Sequence, residues 1–263
     1  MGAGVSAVQP GQRVAALTKF GGYAEYICLP EQTLVPVPSG LDPAEAVSLV
    51  LNYVTAHQLL HRAARVKAGE RILIHGAGGG VGTALLQLGK MANLEMYGTA
   101  SRAKHEVVSR LGGVPIDYRN EDFVERVRYF TSDGVDAVFD PIGGTHWWRS
   151  YKTLRRGGRL VPYGASALFT EGKLGVGLGF MMLLVLMLIP TGKKVLWMFG
   201  TTSRPYSSPE LCRNDLALLF DLLVQQKIKP VIAGRIPLIE AAHAHELLEK
   251  GGVAGKLVLI CNA

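Results

Sequence analysis

The sequence contains few cysteines and no recognisable export signal. Three cysteines, Cys28, Cys212 and Cys261, lie far apart among 263 residues. Their odd number and wide spacing exclude a disulfide framework and a cysteine-rich zinc site, and they are typical of a protein from a reducing compartment. The N-terminal residues match neither a secretory signal nor an amphipathic transit sequence, so we expect a cytoplasmic location.

Charge is also sparse. Charged residues make up 19% of the chain and hydrophobic residues 48%, a core-forming composition that excludes a disordered protein. The net charge of +7 favours an anionic ligand such as a phosphorylated cofactor. Lys and Arg are nevertheless scattered along the chain, without the clustered footprint of nucleic-acid binding, so we expect no nucleic-acid partner.

One segment, Leu174 to Gly192, lacks charged residues altogether and is flanked by lysines. Three glycines lie in its first third and Pro190 closes it. The strongly apolar part is therefore shorter than the ~20 residues that span a bilayer. The segment fits a buried helix or an interface helix, and contact of residues 174–192 with a membrane surface is the alternative.

A cluster of glycines joins a strand pattern to a helix pattern. Arg71–His75 predicts a buried strand, and Val81–Ala92 repeats apolar residues at helical spacing. Between them lies the dinucleotide fingerprint, with alanine in place of its first glycine. In this motif the backbone approaches a pyrophosphate and the amides of the helix start face the phosphates. The predicted phosphate-binding residues are Ala77, Gly79, Gly80, Val81 and Gly82. A tight strand-to-helix turn without a ligand is the alternative.

Strand and helix patterns alternate beyond this motif. Strand patterns at Glu95–Ala100 and Val135–Asp140 are separated by helical patterns such as Lys104–Gly112 and Glu121–Phe130. This alternation predicts βαβ units, and hence an α/β protein with a doubly wound parallel sheet of the Rossmann type. Such sheets bind ligands at the carboxyl ends of their strands.

The two flanks of the chain differ from this central region. Residues 1–52 carry short strand patterns, Gln12–Leu17 and Gly22–Leu29, and residues 205–263 combine two helical patterns with a final strand. We interpret the flanks as parts of a second, mainly β domain. The nucleotide-binding domain then spans residues 53–204.

The end of the second predicted Rossmann strand lacks the acid that NAD-binding proteins use to hold the ribose 2′-hydroxyl. The strand is followed instead by Ser101, Arg102 and Lys104. Cations at this position suit the 2′-phosphate of NADP(H), which an acid would repel. We therefore expect NADP(H) as the cofactor, and a merely solvated basic helix start is the alternative.

Further segments match one family pattern in the same order: “QPGQRVAAL”, “GGYAEY”, “LNYVTAHQLL”, “AGERILIHGAGGGVGTALLQLGK”, “DAVFDPIGG” and “GGRLVPYGAS”. With them the sequence resembles the medium-chain dehydrogenase/reductases, in their zinc-free quinone oxidoreductase branch. The resemblance covers nearly the whole chain and implies a Rossmann domain beside a GroES-like catalytic domain. Because the matching begins inside the GroES-like pattern, we expect that domain to be incomplete.

The resemblance also implies site residues outside the glycine motif. It places Lys104 and Tyr118 at the 2′-phosphate. It implies further cofactor contacts at Asn52, Thr55, Gly143, Gly164 and Lys256. Tyr53 is the candidate proton donor by position. Members of the family commonly form dimers, so we expect a homodimer, with residues 178–189 as the candidate interface.

The sequence offers no complete metal site. Zinc-dependent relatives insert a cysteine lobe before the equivalent of “GGYAEY”, and a later ligand would fall at Leu51, whose alkyl side chain cannot bind zinc. His57 and His61 lie four residues apart without a third ligand beside them. We therefore expect no metal.

A reductase without zinc needs an acceptor that is activated by hydrogen bonds or is already reactive, and quinones and α,β-unsaturated carbonyls meet this condition. The sequence thus predicts an NADPH-dependent oxidoreductase that transfers hydride to such a small molecule. Two alternatives remain: a catalytically weak NADP(H)-binding relative with a sensory or structural role, and a membrane-surface-associated protein.

Overall fold

The computed structural model describes residues 2–18, 20–166, 172–196 and 208–261. The chain divides into two compact units, Met1–Thr55 with Gly200–Ala263, and Ala56–Phe199. The boundary expected between residues 204 and 205 lies outside the described residues. The assignment of the first unit to a partial GroES-like domain stays a prediction.

The start of the first unit contains less strand than the sequence predicts. β1 (Val14–Ala15) and β2 (Val35–Pro36) form a two-stranded antiparallel ladder. The strand expected over Gly22–Leu29 is absent from the described part of this unit, and Tyr26 within it is 91% exposed. An extended segment needs a neighbouring strand to pair its N–H and C=O groups. No ladder reaches these residues, so the prediction was wrong.

A helical segment follows, beginning with α1 (Pro43–Ser48). Asp42 caps it, because its side chain accepts from the Ala44 N–H at 3.1 Å and Pro43 occupies the first position. Wider π-helical turns then lie on either side of α2 (Val54–His57), at Leu49–Tyr53 and Gln58–Ala64. Such turns are frequent at functional sites.

The second unit is built on a six-stranded sheet in which every pairing is parallel. Its strands are β3 (Arg71–His75), β4 (Glu95–Ala100), β5 (Gly113–Asp117), β6 (Val135–Asp140), β7 (Leu154–Pro162) and β8 (Lys194–Val195). They lie in the order β5-β4-β3-β6-β7-β8, which is the order of the Rossmann fold. The predicted fold class is therefore confirmed. The strand order reverses between β3 and β6, so a crevice is expected at their carboxyl ends.

Helices connect these strands. They are α3 (Gly80–Met91), α4 (His105–Arg110), α5 (Phe123–Thr131), α6 (His146–Lys152) and α7 (Gly172–Leu188). α5 starts where the Asp122 side chain accepts from the Val124 N–H at 2.7 Å. The core contains Leu73, Phe139, Trp147 and Leu160, all without exposed surface. β6 is buried at every residue, including Asp136 and Asp140.

α7 contains most of the uncharged segment and is only half covered. Leu183 and Leu186 face the core and are buried. The opposite face is exposed, at Leu178, Met181, Leu184 and Leu188. The expectation of a buried helix therefore holds for one face alone. Among the described residues, no helix combines the length and apolar character needed to cross a membrane.

The rest of the first unit comes from the C-terminal part of the chain. It contains α8 (Pro209–Val224), β9 (Ile232–Pro237), α9 (Ala241–Glu249) and β10 (Lys256–Ile260). β9 and β10 pair in parallel.

Candidate nucleotide site

The glycine loop joins β3 to α3 at the carboxyl edge of the sheet. The Ala77 N–H donates to the Thr99 carbonyl at 2.9 Å and thereby ties the loop to β4. A Cβ at Gly82 would lie 2.3 Å from the Gly76 carbonyl oxygen, so only glycine fits there. Gly79 begins α3 without a side-chain cap. The amides of the first turn, Gly80–Gly82, are thus placed for an anionic ligand.

Lys104 lies along this loop. It closes a short 3-10 turn with its N–H donating to the Ser101 carbonyl at 2.8 Å, while the Arg102 side chain is exposed. A Cβ at Gly78 would lie 2.8 Å from Lys104 Cβ, so the lysine stem packs directly on the glycine loop. Burial, helped by the Arg119 guanidinium, lowers the pKa of Lys104. Gly78 is not part of the fingerprint, and this contact explains why a residue without a side chain occupies the position.

The loop after β5 carries two more groups, Tyr118 and Arg119. Tyr118 is 53% exposed, and the Arg119 guanidinium lies 5.9 Å from its ring centroid. Arg119 was not among the residues predicted from the sequence. Asp117, which lies opposite Ala100 in the β4–β5 register, was not predicted as a site residue either. Its carboxylate accepts from Asn120 Nδ2 at 2.8 Å, which lowers the pKa of Asp117, and from the Arg119 N–H at 3.1 Å. The Asp117 carboxylate is therefore hydrogen-bonded within the turn that follows β5.

The two glycines predicted after β6 and β7 have a packing role. Gly143 has φ +91°, a conformation that favours glycine, and a Cβ there would lie 3.0 Å from Ala165 Cα. A Cβ at Gly164 would lie 2.8 Å from the Pro141 carbonyl oxygen. The two loops can lie against each other because both positions lack a side chain. A contact of Gly143 or Gly164 with the cofactor stays a prediction.

A buried polar cluster lies at the same edge of the sheet. His75 ends β3, Asp140 ends β6, and His146 and Ser150 come from α6. The His146 Nδ1 lies 2.8 Å from Asp140 Oδ2. Burial lowers the pKa of His75 to about 3. Burial alone would raise the pKa of Asp140, but the His146 hydrogen bond and nearby imidazoles hold it at about 2.

None of the residues in this cluster was predicted as a site residue from the sequence. The available signal was a polar residue, His75 or Asp140, at the last position of each of two mainly apolar strand patterns. Among the described residues, His75, Asp140 and His146 are the one group of three whose donor atoms lie close enough together for a metal ion. His57 and His61, with ring centroids 4.8 Å apart, are not in it.

The remaining predicted residues belong to the first unit. Asn52, Tyr53 and Thr55 are buried, and the Thr55 hydroxyl has no hydrogen-bond partner among the described residues. A buried hydroxyl without a partner is a candidate for a ligand contact, because leaving it unsatisfied costs free energy. Burial lowers the pKa of Lys256 at the start of β10. The structure thus groups the predicted residues into two sets, one in each unit.

The Rossmann order and the glycine loop define a dinucleotide-binding fold, which the medium-chain dehydrogenase/reductases share. The family model described as zinc-binding dehydrogenase matches residues 111–259, and the chain belongs to this family. The synaptic vesicle membrane protein VAT-1 homolog of Danio rerio is 33% identical over 259 residues, covering 95% of this chain and 53% of the relative. The chain thus spans about half the length of that relative.

Quinone oxidoreductases are similar over more of their length. That of Rattus norvegicus is 29% identical over 265 residues, covering 99% of this chain and 76% of the relative. The structure of Escherichia coli quinone oxidoreductase complexed with NADPH has a TM-score of 0.86 at 28% identity, covering 98% of this chain and 78% of that one. The predicted superfamily and its quinone oxidoreductase-like branch are confirmed.

Proposed function

We propose that this chain is an NADPH-dependent oxidoreductase that transfers hydride to a quinone or an α,β-unsaturated carbonyl without zinc. The observation that carries the proposal is the packing of Lys104 on the glycine loop at Gly78. Lys104 follows the end of β4, where the sequence lacks the acid that would select NAD(H), and its stem contacts the loop that leads into α3. The NADPH complex of the Escherichia coli relative supports the same cofactor.

The residues of the second unit have distinct roles in this proposal. The start of α3 binds the pyrophosphate through its backbone amides. Ser101, Lys104 and Tyr118 bind the 2′-phosphate, and the exposed Arg102 adds positive charge nearby. When bound, NADPH supplies the hydride. The chain's own contribution is to hold the nicotinamide against an electrophilic carbon and to exclude water.

The residues of the first unit complete the proposal. Thr55 and Asn52 contact the nicotinamide end, and Lys256 contacts the cofactor near the end of the chain. Tyr53 donates the proton that follows hydride addition. Zinc has no role here, because Leu51 stands where a zinc-dependent relative has a ligand. The homodimer and the cytoplasmic location also remain part of this proposal.

A paired titration tests the cofactor assignment. We expect NADPH to bind more tightly than NADH, and Lys104→Ala to weaken NADPH binding by roughly tenfold or more, since a charge-assisted hydrogen bond contributes about 1.5–3 kcal/mol. NADH binding should not change. Lys90→Ala, an exposed lysine at the other end of α3, is the control. An equal loss for both nucleotides would contradict the assignment.

A second assay tests the chemistry. The loss of nicotinamide absorbance is followed with a panel of aromatic ortho-quinones and enones. NADPH oxidation that depends on the acceptor supports the proposal. Its rate is expected to fall in Tyr53→Phe. Tight NADPH binding without oxidation would instead favour the catalytically weak relative.

The exposed face of α7 favours one further candidate function, association with an anionic membrane surface. Its apolar side chains are followed by Lys193 and the exposed Lys194, and the Lys193 Nζ donates to the Tyr151 carbonyl at 3.1 Å. Trp148 is 39% exposed, and the Lys152 Nζ lies 5.1 Å from the centroid of its ring. Apolar, aromatic and basic groups together are typical of interfacial binding. Flotation with anionic but not neutral vesicles is the expected result, and flotation with neither would exclude it.

A further inference from the structure

The hydroxyl of Ser150 lies at the centre of the buried polar cluster. Its Oγ is 2.6 Å from Asp140 Oδ2, 3.0 Å from His75 Nε2 and 3.4 Å from His146 Nδ1. Ser150, His75 and Asp140 have no exposed surface. Three titratable side chains from two strands and one helix therefore converge on one hydroxyl.

The positions of the protons in this cluster follow from the chemistry of its members. The Asp140 carboxylate is ionised and only accepts, so the one Ser150 proton and the His146 Nδ1 proton both point at it. Ser150 Oγ must then accept a hydrogen bond from the His75 Nε2–H. Burial keeps His75 neutral, so its Nδ1 carries no proton and accepts from the Thr99 hydroxyl at 3.0 Å. A single arrangement satisfies every group.

This arrangement also uses the atoms that a metal ion would need. His75 Nε2 and His146 Nδ1 carry protons in it, and Asp140 Oδ2 accepts two hydrogen bonds. A metal ligand must offer a lone pair instead. The Ser150 hydroxyl lies among the three donor atoms, and the geometry therefore favours a hydrogen-bonded centre over a metal site.

Both ends of the network terminate on backbone amides of the candidate nucleotide site. At one end, Thr99 Oγ1 accepts from the Gly76 N–H at 3.3 Å, where the glycine loop begins. At the other, Asp140 Oδ1 accepts from the N–H groups of Ile142 at 2.7 Å and Gly143 at 3.3 Å. The network thus connects the loop after β3 with the loop after β6.

We propose that Ser150 is a positioning residue, whose hydroxyl couples the glycine loop to the Gly143 loop and holds both in their nucleotide-binding conformation. The proposal rests on the function proposed above, because it concerns the same cofactor site. Ser150 is buried behind the loops and acts through His75 and Asp140. Loops that are ordered before binding lose less entropy when the ligand binds, so the benefit is expected in cofactor affinity.

The first test compares two buried hydroxyls. Ser150→Ala removes the centre of the network. Thr131→Ala is the control, because its buried hydroxyl also donates to one group, the Val127 carbonyl at 2.7 Å, and accepts from another, the Gly134 N–H at 3.1 Å. It lies at the opposite edge of the sheet, before β6. At matched fractions of folded protein, we expect Ser150→Ala to weaken NADPH binding by roughly tenfold and Thr131→Ala to leave it within about twofold.

A second variant acts on the other end of the network. Thr99→Val keeps the side-chain volume and removes the hydroxyl that reaches His75 and the Gly76 amide. It should weaken NADPH binding in the same direction as Ser150→Ala, and it keeps the proposal falsifiable if Ser150→Ala does not fold.

Nitrogen-15 NMR of the imidazoles provides a readout without cofactor. His75 should be the neutral, Nε2-protonated tautomer, identified by its loss in His75→Gln. In Ser150→Ala the protected Nε2 proton should exchange rapidly with water.

These outcomes separate the two proposals. Failure of the wild-type chain to bind NADPH would overturn the proposed function and, with it, the positioning role. Wild-type binding with unchanged affinity in both Ser150→Ala and Thr99→Val would overturn the positioning role alone. A His75 protonated on Nδ1, or stoichiometric Zn²⁺ uptake that depends on His75, would overturn the proton arrangement.

Discussion

The second unit buries polar groups at one place and exposes apolar groups at another. At the carboxyl edge of the sheet, His75, Asp140 and Ser150 are completely enclosed. On α7, Leu184 is 58% exposed and Leu188 is 83% exposed. Both regions depart from the usual partition of side chains, and such departures are more informative than a core leucine or a surface lysine.

The difference lies in how each departure is compensated. The buried polar groups satisfy one another, so their desolvation is offset by hydrogen bonds within the same unit. Nothing in the described part of the chain covers the outer face of α7. The polar cluster is therefore complete within one chain, whereas α7 is the element whose state should depend on what surrounds the protein.

The largest expected effect concerns Asp140. Asp140→Ala leaves Ser150, His146 and two backbone amides without their acceptor, and we expect it to lower the free energy of unfolding by about 4 kcal/mol. Asp122→Ala is the matched control, because that carboxylate caps α5 at a site 44% exposed and should cost about 1 kcal/mol. Urea denaturation measures both. An equal loss of unfolding free energy in the two variants would show that the buried cluster stabilises the fold no more than an exposed helix cap does.

Two neighbouring leucines in α7 test the other side of the comparison. Leu183→Ala removes a completely buried side chain and should cost about 3 kcal/mol. Leu184→Ala, on the exposed face, should change the free energy of unfolding by less than about 0.5 kcal/mol. A cost above about 2 kcal/mol for Leu184→Ala, or one that depends on protein concentration, would mean that the outer face is covered in solution.

The neutral state of His75 predicts a response to acid. Burial lowers its pKa from 6.5 to about 3 in the native state, so the unfolded chain binds this proton first as the pH falls. The contribution to stability is complete above pH 6.5 and is lost toward pH 3, at up to about 1.4 kcal/mol per pH unit. His75→Gln should flatten this dependence relative to the wild type. His243→Gln, at a site 54% exposed, should leave it unchanged.

The smallest effect tests the exposure of α7 without changing its polarity. A Cβ added at Gly177 meets no described atom within 4 Å. Gly177→Ala should therefore stabilise the chain by about 0.7 kcal/mol, because alanine loses less backbone entropy in a helix. A thermal melt measures the change. Destabilisation would again indicate that something packs on this face.

The buried strands could be predicted from the sequence, whereas the covered face of α7 could not. The bounds predicted for β3, β4 and β6 agree with the structure, because strands buried on both faces are short, mainly apolar segments flanked by polar or turn residues. α7 is apolar on every side, so its pattern could not indicate which face would be covered. The strand expected at Gly22–Leu29 failed because pairing depends on a partner strand and not on local pattern.

The candidate site was predictable to a similar extent. The glycine loop is local, and its residues follow one another in the sequence. The polar network is not local, since Ser150 and His75 are 75 residues apart and meet only through the sheet order. Arg119 follows β5, the strand beside β4, and its guanidinium lies close enough to Lys104 to lower the pKa of that lysine. Contacts of this kind depend on topology, which a spacing rule does not contain.

The contact between Gly179 and Gly144 restricts how related sequences can diverge. A Cβ at Gly179 would lie 2.6 Å from Gly144 Cα, so α7 approaches the loop after β6 backbone to backbone. A side chain at position 179 is tolerated only if that loop moves, and the loop also contains Gly143. Homologues should therefore keep glycine at position 179, or change the length of the loop and the helix together. Substitutions in the apolar helix and in the nucleotide loop are then expected to be correlated among homologues.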